Sequence, residues 1–388
     1  MLELNKILRD IDNFGRECAE ACRGLDEQFR EADAVVREMA SDIEKSSRRI
    51  SDARTSWLTS TFEECPDLTF PCPDVPMPHG VVAVDGSQIA PDKHEAASCF
   101  LINTSSVTLF YGIPERPKFR SNPKLCYREE DTFEEYGGRK VPVAEKLLGI
   151  RRTAAEGLEM LRSIRDAADV GVPVVAFADG SLIRWSLENE PPDFKKRILE
   201  EYLAMFEVAR ELAIPIAGYI SDPGSKDFVN SMRVMLCDMR EVDCDRCPHE
   251  AVEDRPCERV GRLTDRMVFN RRLQDGERTV VLTSKSRILE SYGEHEIRAF
   301  YLSVGREIVR IEIPRWVAEN PVLLDLVHAV SVDQAAKGRG YPVALSEAHD
   351  KAVVHGPDRR AFYEMLERSL IKHGAPITRS LKRISKGY

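Results

Sequence analysis

Apolar side chains in the first sixty residues recur every three or four positions, and charged residues occupy most other faces. This stripe comprises Leu4, Ile7, Ile11, Phe14, Cys18, Cys22, Leu25, Phe29, Ala32, Val36, Met39 and Ile43. The spacing predicts one long helix over residues 1–60, either a coiled-coil arm or a helical hairpin, with Gly24 as the break. A helix packed against its own domain is the alternative.

A proline-rich stretch follows the stripe. The prolines are Pro66, Pro71, Pro73, Pro76 and Pro78. Such a density favours an extended, polyproline-like linker over residues 65–78, so the main domain is expected to begin near residue 79.

Beyond the linker, short apolar runs alternate with helical stripes. The runs predict strands over 81–84, 99–110, 174–178, 214–220, 279–283, 299–304 and 307–313. The stripes predict helices over 143–169, 193–213, 228–236, 321–336 and 359–373, and residues 112–140 are expected to be irregular. The predicted helix over 143–169 precedes the strand over 174–178, and the helix over 193–213 precedes the strand over 214–220. This order of helices and strands predicts a mixed α/β sheet.

Two of these strands end in the same sequence. Residues 81–87 and 174–181 each run from buried apolar residues into Asp-Gly-Ser, at Asp85 and at Asp179. For either copy alone, a plain Asp-Gly turn is an adequate explanation. If the two strands are neighbours, however, the carboxylates converge and repel each other unless a divalent metal ion lies between them.

Two divalent ions held by three or four acidic side chains would suit the in-line hydrolysis of a phosphodiester. Such a site needs a further carboxylate beside the two aspartates. Glu156, on the helix before the second motif strand, is the first candidate, and Glu159, one turn later, is its competitor. For either, a solvated helix acid is the alternative.

Other side chains suit a phosphate-bearing substrate. His349 could bind metal or protonate a leaving 3′-oxygen, although a core or capping histidine is the commoner case. Tyr341 could position the scissile phosphate, Lys226 lies before a helix where phosphate binds readily, and Ser87 and Ser181 could donate hydrogen bonds.

Composition narrows the class of protein. A net charge of −9 argues against a protein that binds nucleic acid non-specifically over a wide surface, because such proteins are usually basic. It does not argue against a metal-dependent nuclease with a local basic channel. No apolar run approaches ~18 residues, and the N-terminus lacks the layout of a signal peptide, so a cytoplasmic protein without membrane contact is expected. The residues around Lys226 do not have the spacing of a Walker loop, and no other segment of the sequence suggests a site for a nucleoside triphosphate. If the protein works on a moving substrate, a partner would therefore have to supply the energy.

Four of the ten cysteines crowd into 21 residues. Cys237, Cys244, Cys247 and Cys257 form the pattern C-x6-C-x2-C-x9-C. In a reducing compartment such crowding favours a metal site, either zinc or an iron–sulfur cluster, over disulfides. His249 could replace one ligand, and unrelated reduced thiols are the alternative.

Four motifs in order resemble the NurA nuclease family, in its bacterial form with a cysteine-bearing insertion. They are Val-Asp-Gly-Ser at 84–87, Ala-Asp-Gly-Ser-Leu-Ile-Arg-Trp at 178–185, Gly-Tyr-Ile-Ser-Asp-Pro-Gly-Ser-Lys-Asp-Phe-Val-Asn at 218–230, and Gly-Tyr-Pro at 340–342 with Ala-His at 348–349. The resemblance covers about residues 80–355 and excludes the N-terminal helix and the C-terminal tail.

The resemblance implies an RNase H-like mixed sheet flanked by helices. It also implies a manganese-dependent deoxyribonuclease (Mg²⁺ is the alternative ion) with 5′→3′ exonuclease and single-strand endonuclease activity. The implied partners are a second copy of the chain and a hexameric HerA-type ATPase in double-strand-break end resection. Carried over by motif, Asp85 and Asp179 become metal ligands, Tyr341 and His349 active-site residues, and Glu156 the third acid.

The predicted organisation therefore has four parts. They are a helical arm over 1–64, the linker over 65–78, a nuclease domain over 79–358 with the insertion 237–257, and a C-terminal helix with a basic tail over 359–388. The rival functions are a catalytically weak adaptor that clamps DNA for the ATPase, and a metal-dependent phosphatase acting on small phosphoesters.

Overall fold

A computed structural model describes residues 3–91 and 99–375. The α-helices are α1 Leu8–Arg23, α2 Leu25–Ser41, α3 Ile43–Asp52, α4 Glu129–Thr132, α5 Glu145–Ala168, α6 Pro192–Glu211, α7 Asp227–Leu236, α8 Asp265–Asn270, α9 Arg315–Ala318, α10 Pro321–Lys337, α11 Val343–Ala352 and α12 Gly356–Lys372. The strands are β1 Ser60–Phe62, β2 Thr69–Phe70, β3 His79–Ile89, β4 Phe100–Tyr111, β5 Lys118–Cys126, β6 Phe133–Tyr136, β7 Arg139–Pro142, β8 Val174–Asp179, β9 Ile216–Ile220, β10 Arg278–Thr279, β11 Leu282–Ser284, β12 Ile297–Val304 and β13 Glu307–Pro314.

The chain divides into two compact units, each built from several stretches of sequence. Unit 1 comprises Met1–Cys72, Ile220–Arg287 and Arg298–Ile311, and unit 2 comprises Pro73–Tyr219, Ile288–Ile297 and Glu312–Tyr388. The basic tail of the sequence analysis, with Arg379, Lys382, Arg383 and Lys386, lies outside the described residues.

The sheet of unit 2 has the strand order β5-β4-β3-β8-β9. Strands β3, β4 and β5 form an antiparallel meander, whereas β8 runs parallel to β3 and β9 parallel to β8. Helix α5 connects the meander to β8, and α6 connects β8 to β9, as parallel pairing requires. An antiparallel three-strand meander followed by two parallel strands is the RNase H-like topology, so the predicted fold class is confirmed.

Helices α5 and α6 cover one face of this sheet. Val82 and Val84 of β3 are buried with Met160 and Ile164 of α5 and with Phe206 of α6. These apolar side chains follow period 2 on the strand and period 3–4 on the helices, which is why the sequence pattern predicted both element types. The packing fixes α5 over the end of β3, where its polar side chains reach the motif residues.

The helices near the N-terminus differ from the prediction. The single helix over 1–60 is wrong, because the chain breaks at Gly24 as expected and again at Asp42, and the last helix ends at Asp52. Asp42 leaves the helical region and its side chain accepts a hydrogen bond of 3.0 Å from the amide of Lys45, which caps α3.

Within unit 1, α2 and α3 pack on α7. Val36 and Met39 of α2 and Ile50 of α3 share a buried cluster with Phe228 and Met232 of α7. For this part of the stripe, the alternative of a helix packed against its own domain is therefore correct. Strands β1, β11, β12 and β13 lie in that order in the sheet of this unit.

Two further segments differ from the prediction. Residues 112–140 are not irregular, because they contain β5, α4, β6 and β7. The exposed, polar sequence of β5 conceals an edge strand, since an edge strand needs few apolar residues to pair. The strand predicted over 279–283 is divided into β10 and β11. None of the described helices is long and apolar enough to cross a membrane.

Candidate active site

The two motif aspartates lie side by side on neighbouring parallel strands. The register of β3 and β8 places Val84 opposite Ala178, so the next residues of the two strands, Asp85 and Asp179, are adjacent. Asp179 is the last residue of β8, so the two carboxylates lie side by side at the point where β8 ends. The structure thus brings together the pair that the repeated motif predicted.

The turn expected after Asp85 is wrong. Strand β3 continues through Gly86 to Ile89, because it remains paired with β4 as far as the pair of Ile89 with Leu101. The second copy does turn, at Gly180, whose φ of +88° lies in the left-handed region that favours glycine. Identical local sequences therefore differ in conformation because only the first has a partner strand beyond the aspartate.

His349 joins the two aspartates from α11. Its Nδ1 lies 2.8 Å from Oδ2 of Asp85, and ligand atoms of Asp85, Asp179 and His349 lie within 4.8 Å of one another. Across the described ranges, no other three histidine, cysteine or acidic side chains meet that limit. Two carboxylates and an imidazole at this separation could hold a divalent metal ion.

Tyr341, just before α11, contacts the other aspartate. Its hydroxyl donates a hydrogen bond of 2.9 Å to Oδ1 of Asp179, and its ring packs edge-on against Tyr219. Burial, reinforced by the negative charge of Asp179, raises the pKa of Tyr341 well above its usual range. The hydroxyl therefore remains a protonated donor that orients Asp179.

Glu156 approaches the pair from α5, over Gly86. A Cβ atom at residue 86 would lie 2.5 Å from Oε1 of Glu156, so glycine is required for this approach. Glu156 lines a cavity of about 40 Å³ together with Asp85, Asp179 and Arg184. That volume can hold a water molecule or two, or an ion, among polar groups.

The carboxylates of the site raise one another's proton affinity. Burial raises the pKa of Glu156 to about 7, Arg152 opposes this shift, and Asp85 and Asp179 add to it. Burial also raises the pKa of Asp179, against the hydrogen bond from Tyr341. A bound cation would relieve this crowding of negative charge.

The competitor of Glu156 faces elsewhere. Glu159 is buried, and its two carboxylate oxygens accept hydrogen bonds from Ser106 on β4 at 2.7 Å and from Asn122 on β5 at 2.9 Å. Its charge is thus bound to the meander, one helical turn away from the cavity. The geometry favours Glu156 as the third acid.

The predicted substrate-binding side chains make contacts of their own. The Ser87 hydroxyl donates to the carbonyl of Ala352, which ties the end of α11 to β3. Ser181 donates to Glu312 at 2.7 Å, and Lys226, which belongs to unit 1, donates to the carbonyl of Gly261 at 2.8 Å. The structure does not bring Lys226 into the cavity described above, so its contact with substrate stays a prediction.

Sequence reasoning missed three residues that position the site. Arg152 lies one turn before Glu156, with Nε 3.3 Å from Oε1 of that carboxylate. Arg184 lines the cavity and donates to Tyr202 at 2.8 Å, and Glu312 accepts from Ser181 and from the amide of Leu182. The i,i+4 spacing of Arg152 and Glu156 could have indicated their ion pair from the sequence. The pairing of Glu312 with Ser181 spans 131 residues, so no local pattern could have indicated it.

The four cysteines of the insertion are free thiols of intermediate exposure in unit 1. His249, proposed as a replacement ligand, instead has Nε2 2.9 Å from the carboxylate of Asp238. The zinc or iron–sulfur site therefore stays a prediction that rests on the thiols alone.

The comparisons with known proteins agree with the motif resemblance. A family profile for the NurA domain matches residues 79–354. No curated protein is recognisably similar in sequence.

Among solved structures, the chain is similar to the NurA nuclease from Sulfolobus solfataricus, with 12% identity, coverage of 92% of this chain and 98% of that chain, and a TM-score of 0.48. It is also similar to a crystal structure of NurA with manganese, with 12% identity, coverage of 88% and 97%, and a TM-score of 0.36. The catalytic domain of human endonuclease V shows 14% identity, coverage of 87% and 99%, and a TM-score of 0.32.

Proposed function

This chain belongs to the NurA nuclease family, and from that premise we propose that it is a divalent-metal-dependent deoxyribonuclease that processes DNA ends. The observation that carries the proposal is the convergence of Asp85, Asp179 and His349 within 4.8 Å. All three residues, and Glu156 beside them, fall inside the matched span 79–354. A binding module would have no need of this donor set.

The donor set fits a hard divalent ion. Asp85, Asp179 and His349 would hold the metal, with Glu156 beside it. Carboxylates suit Mg²⁺ and Mn²⁺, and the added imidazole favours Mn²⁺. When bound, such an ion lowers the pKa of a coordinated water and stabilises negative charge on a phosphodiester.

The chain's own side chains prepare the rest of the reaction. The amide of Gly86 donates to Oδ1 of Asp85 at 2.7 Å, and Tyr341 fixes Asp179, so both carboxylates are held in one orientation. Glu156 lines the same cavity as the two aspartates and is placed to accept a proton from an attacking water. His349 has Nδ1 on Asp85, so its Nε2 serves either as the metal ligand or, when it is not bound to metal, as the acid that protonates the leaving 3′-oxygen.

The finer activities are proposals taken from the resemblance. They are 5′→3′ exonuclease and single-strand endonuclease activity, in the end resection that precedes double-strand-break repair. A HerA-type hexameric ATPase would supply the energy that moves duplex DNA.

A homodimer is supported by helix α1. Leu4, Ile7, Leu8, Ile11 and Phe14 lie on this helix or just before it and are 43–67% exposed. Leu4, Ile7, Ile11 and Phe14 follow the a and d positions of a heptad, which a second copy of the same helix would cover. We propose that α1 contributes to a dimer in this way.

The test is cleavage of end-labelled linear DNA, single- and double-stranded, with Mn²⁺, Mg²⁺ or chelator, beside a chromogenic phosphoester. Wild type is compared with Asp179→Asn and with Asp169→Asn, an exposed aspartate at the end of α5. We expect metal-dependent release of label by wild type and Asp169→Asn, and its loss in Asp179→Asn.

Other outcomes would favour the rival functions. Hydrolysis of the phosphoester without DNA cleavage would favour a phosphatase. Metal-independent DNA binding without cleavage, also in the presence of the ATPase, would favour the adaptor.

A further inference from the structure

Four cysteines lie in the loop-rich segment that follows α7 in unit 1. Cys237 directly follows α7, and Cys244 begins the 3-10 turn Cys244–Arg246. Cys247 ends that turn, and Cys257 lies in the 3-10 segment Pro256–Val260. All four are free thiols that are neither fully buried nor fully exposed.

The backbone of this segment is fixed independently of the sulfurs. The Arg49 guanidinium donates to the carbonyl of Cys237 at 2.6 Å and to that of Met239 at 3.0 Å. The amide of Cys244 donates to the carbonyl of Arg54 at 2.9 Å. These contacts are made by the peptide groups of the segment and not by its thiols.

Three of the thiols lie near one another and near a cation. The Cys244 thiol is close enough to those of Cys237 and Cys257 to interact with them electrostatically. The guanidinium of Arg233 lies beside the Cys257 thiol. A metal would bind these groups as thiolates, and Arg233 would offset part of the resulting negative charge.

The separation of the sulfurs distinguishes between the two metal centres. A tetrahedral zinc ion binds sulfur at about 2.3 Å, which places its four sulfurs roughly 4 Å apart. Within the part of the chain that the structure describes, no three of these sulfurs lie within 4.8 Å of one another. A cubane iron–sulfur cluster holds its thiolates further apart, because four iron atoms lie between them.

We propose that Cys237, Cys244, Cys247 and Cys257 bind an iron–sulfur cluster of the [4Fe–4S] type. The cluster would link the end of α7 to the two 3-10 segments. Pro248 follows Cys247, as proline follows a ligand in bacterial ferredoxin sequences. The proposal is independent of the nuclease function, because none of these residues contributes to the cavity lined by Glu156.

The test is anaerobic purification of the full chain, followed by assays of iron, acid-labile sulfide and zinc, with reconstitution by ferrous iron and sulfide. We expect about four iron and four sulfide per chain and a broad visible absorption band. Cys247→Ser and Cys257→Ser should each reduce bound iron at least tenfold. Cys65→Ser, which changes a free thiol outside the segment, should bind iron like wild type.

A variant that merely misfolds would also lose iron. Electron paramagnetic resonance of reduced wild type therefore provides a second measurement that uses no variant, and we expect the signal of a reduced cluster. One zinc per chain in place of iron would overturn the proposal, as would absence of iron after reconstitution. Neither result would affect metal-dependent cleavage of DNA, which Asp179→Asn tests separately.

Discussion

Two glutamates one turn apart on α5 differ in what their carboxylates contact. Glu156 faces Gly86 and the aspartate pair, whereas Glu159 is bound by Ser106 and Asn122. This difference favours Glu156 in a choice that spacing left open, since both residues lie on the same helix and precede the same strand. The deciding contacts come from β3, β4 and β5, which the sequence of α5 does not reveal.

Glu156→Gln and Glu159→Gln form a matched pair for this assignment. We expect Glu156→Gln to reduce the rate of DNA cleavage by about 10²- to 10⁴-fold, because its proton-accepting carboxylate is lost. Glu159→Gln should change the rate little and lower the melting temperature instead, because it weakens buried, charge-assisted hydrogen bonds. Rates and thermal melts of both variants are the measurement, and equal rate losses would contradict the assignment.

Tyr341 offers a graded test at the other aspartate. Tyr341→Phe removes the hydrogen bond to Asp179 but retains the ring packed against Tyr219. We expect a loss of cleavage rate of roughly 10- to 100-fold, because a hydrogen bond to a charged group is lost. Asp179→Asn should cost more and also weaken Mn²⁺ binding in a calorimetric titration. A Tyr341→Phe rate equal to wild type would show that the hydroxyl does not position the site.

At the scale of elements, the buried face of α2 and the exposed face of α1 illustrate what a hydrophobic stripe can and cannot predict. Both follow the same spacing, yet Val36 and Met39 are buried in unit 1 while Ile11 and Phe14 are exposed. The pattern identified helices and the glycine break correctly. It could not identify what covers each face, because that depends on tertiary packing.

The exposed face of α1 predicts self-association. Ile11→Asp should shift the protein from dimer to monomer in light scattering coupled to size-exclusion chromatography, because it places a charge in the apolar seam. Asn5→Asp, which introduces the same charge outside the a and d positions of that seam, is the control. A wild-type monomer at all concentrations, or an Ile11→Asp dimer, would show that this face does not hold the copies together.

Helix α7 depends on a buried acid outside its own sequence. Asp265 accepts hydrogen bonds from the amides of Phe228 and Val229 and from the hydroxyl of Tyr301. Burial raises its pKa from 3.8 to about 7, with a further contribution from Asp227. Between about pH 4 and pH 7 the folded protein therefore binds a proton that the unfolded chain has released, so this residue's contribution to stability falls as pH rises.

Asp265→Asn should remove that pH dependence. Relative to the variant, wild type should lose several degrees of melting temperature between pH 5 and pH 8, because only wild type acquires the buried charge. Thermal melts of both proteins across this range provide the measurement. A difference between wild type and variant that stays constant with pH would indicate that Asp265 does not titrate in this window.

At the scale of the whole molecule, the sheet of unit 2 was largely predictable and the partition of the chain was not. The apolar runs at 81–84, 174–178 and 214–220 became β3, β8 and β9 because buried parallel strands are apolar throughout. The polar edge strand β5 lacked that signal. The division into two units, each assembled from separated stretches, follows from long-range contacts that no local pattern contains.

The aspartate pair likewise separates what the sequence predicts from what only the fold shows. The repeated motif identified both residues, and the register of β3 with β8 explains why they meet. The supporting contacts of Arg184 and Glu312 join segments far apart in sequence, so they required the fold. The side chains that converge at the candidate site were thus predictable from its motifs, while the groups that contact and orient them were not.

The central claim is that Asp85, Asp179, Glu156 and His349 form one metal-dependent centre that cleaves DNA. The most direct measurement is the initial rate of label release from linear DNA as Mn²⁺ is titrated, for wild type, Asp85→Asn and the exposed control Asp169→Asn. The account predicts a saturable rate for wild type and the control, and a rate at least 10²-fold lower for Asp85→Asn at every Mn²⁺ concentration. A rate in Asp85→Asn equal to that of wild type would contradict it.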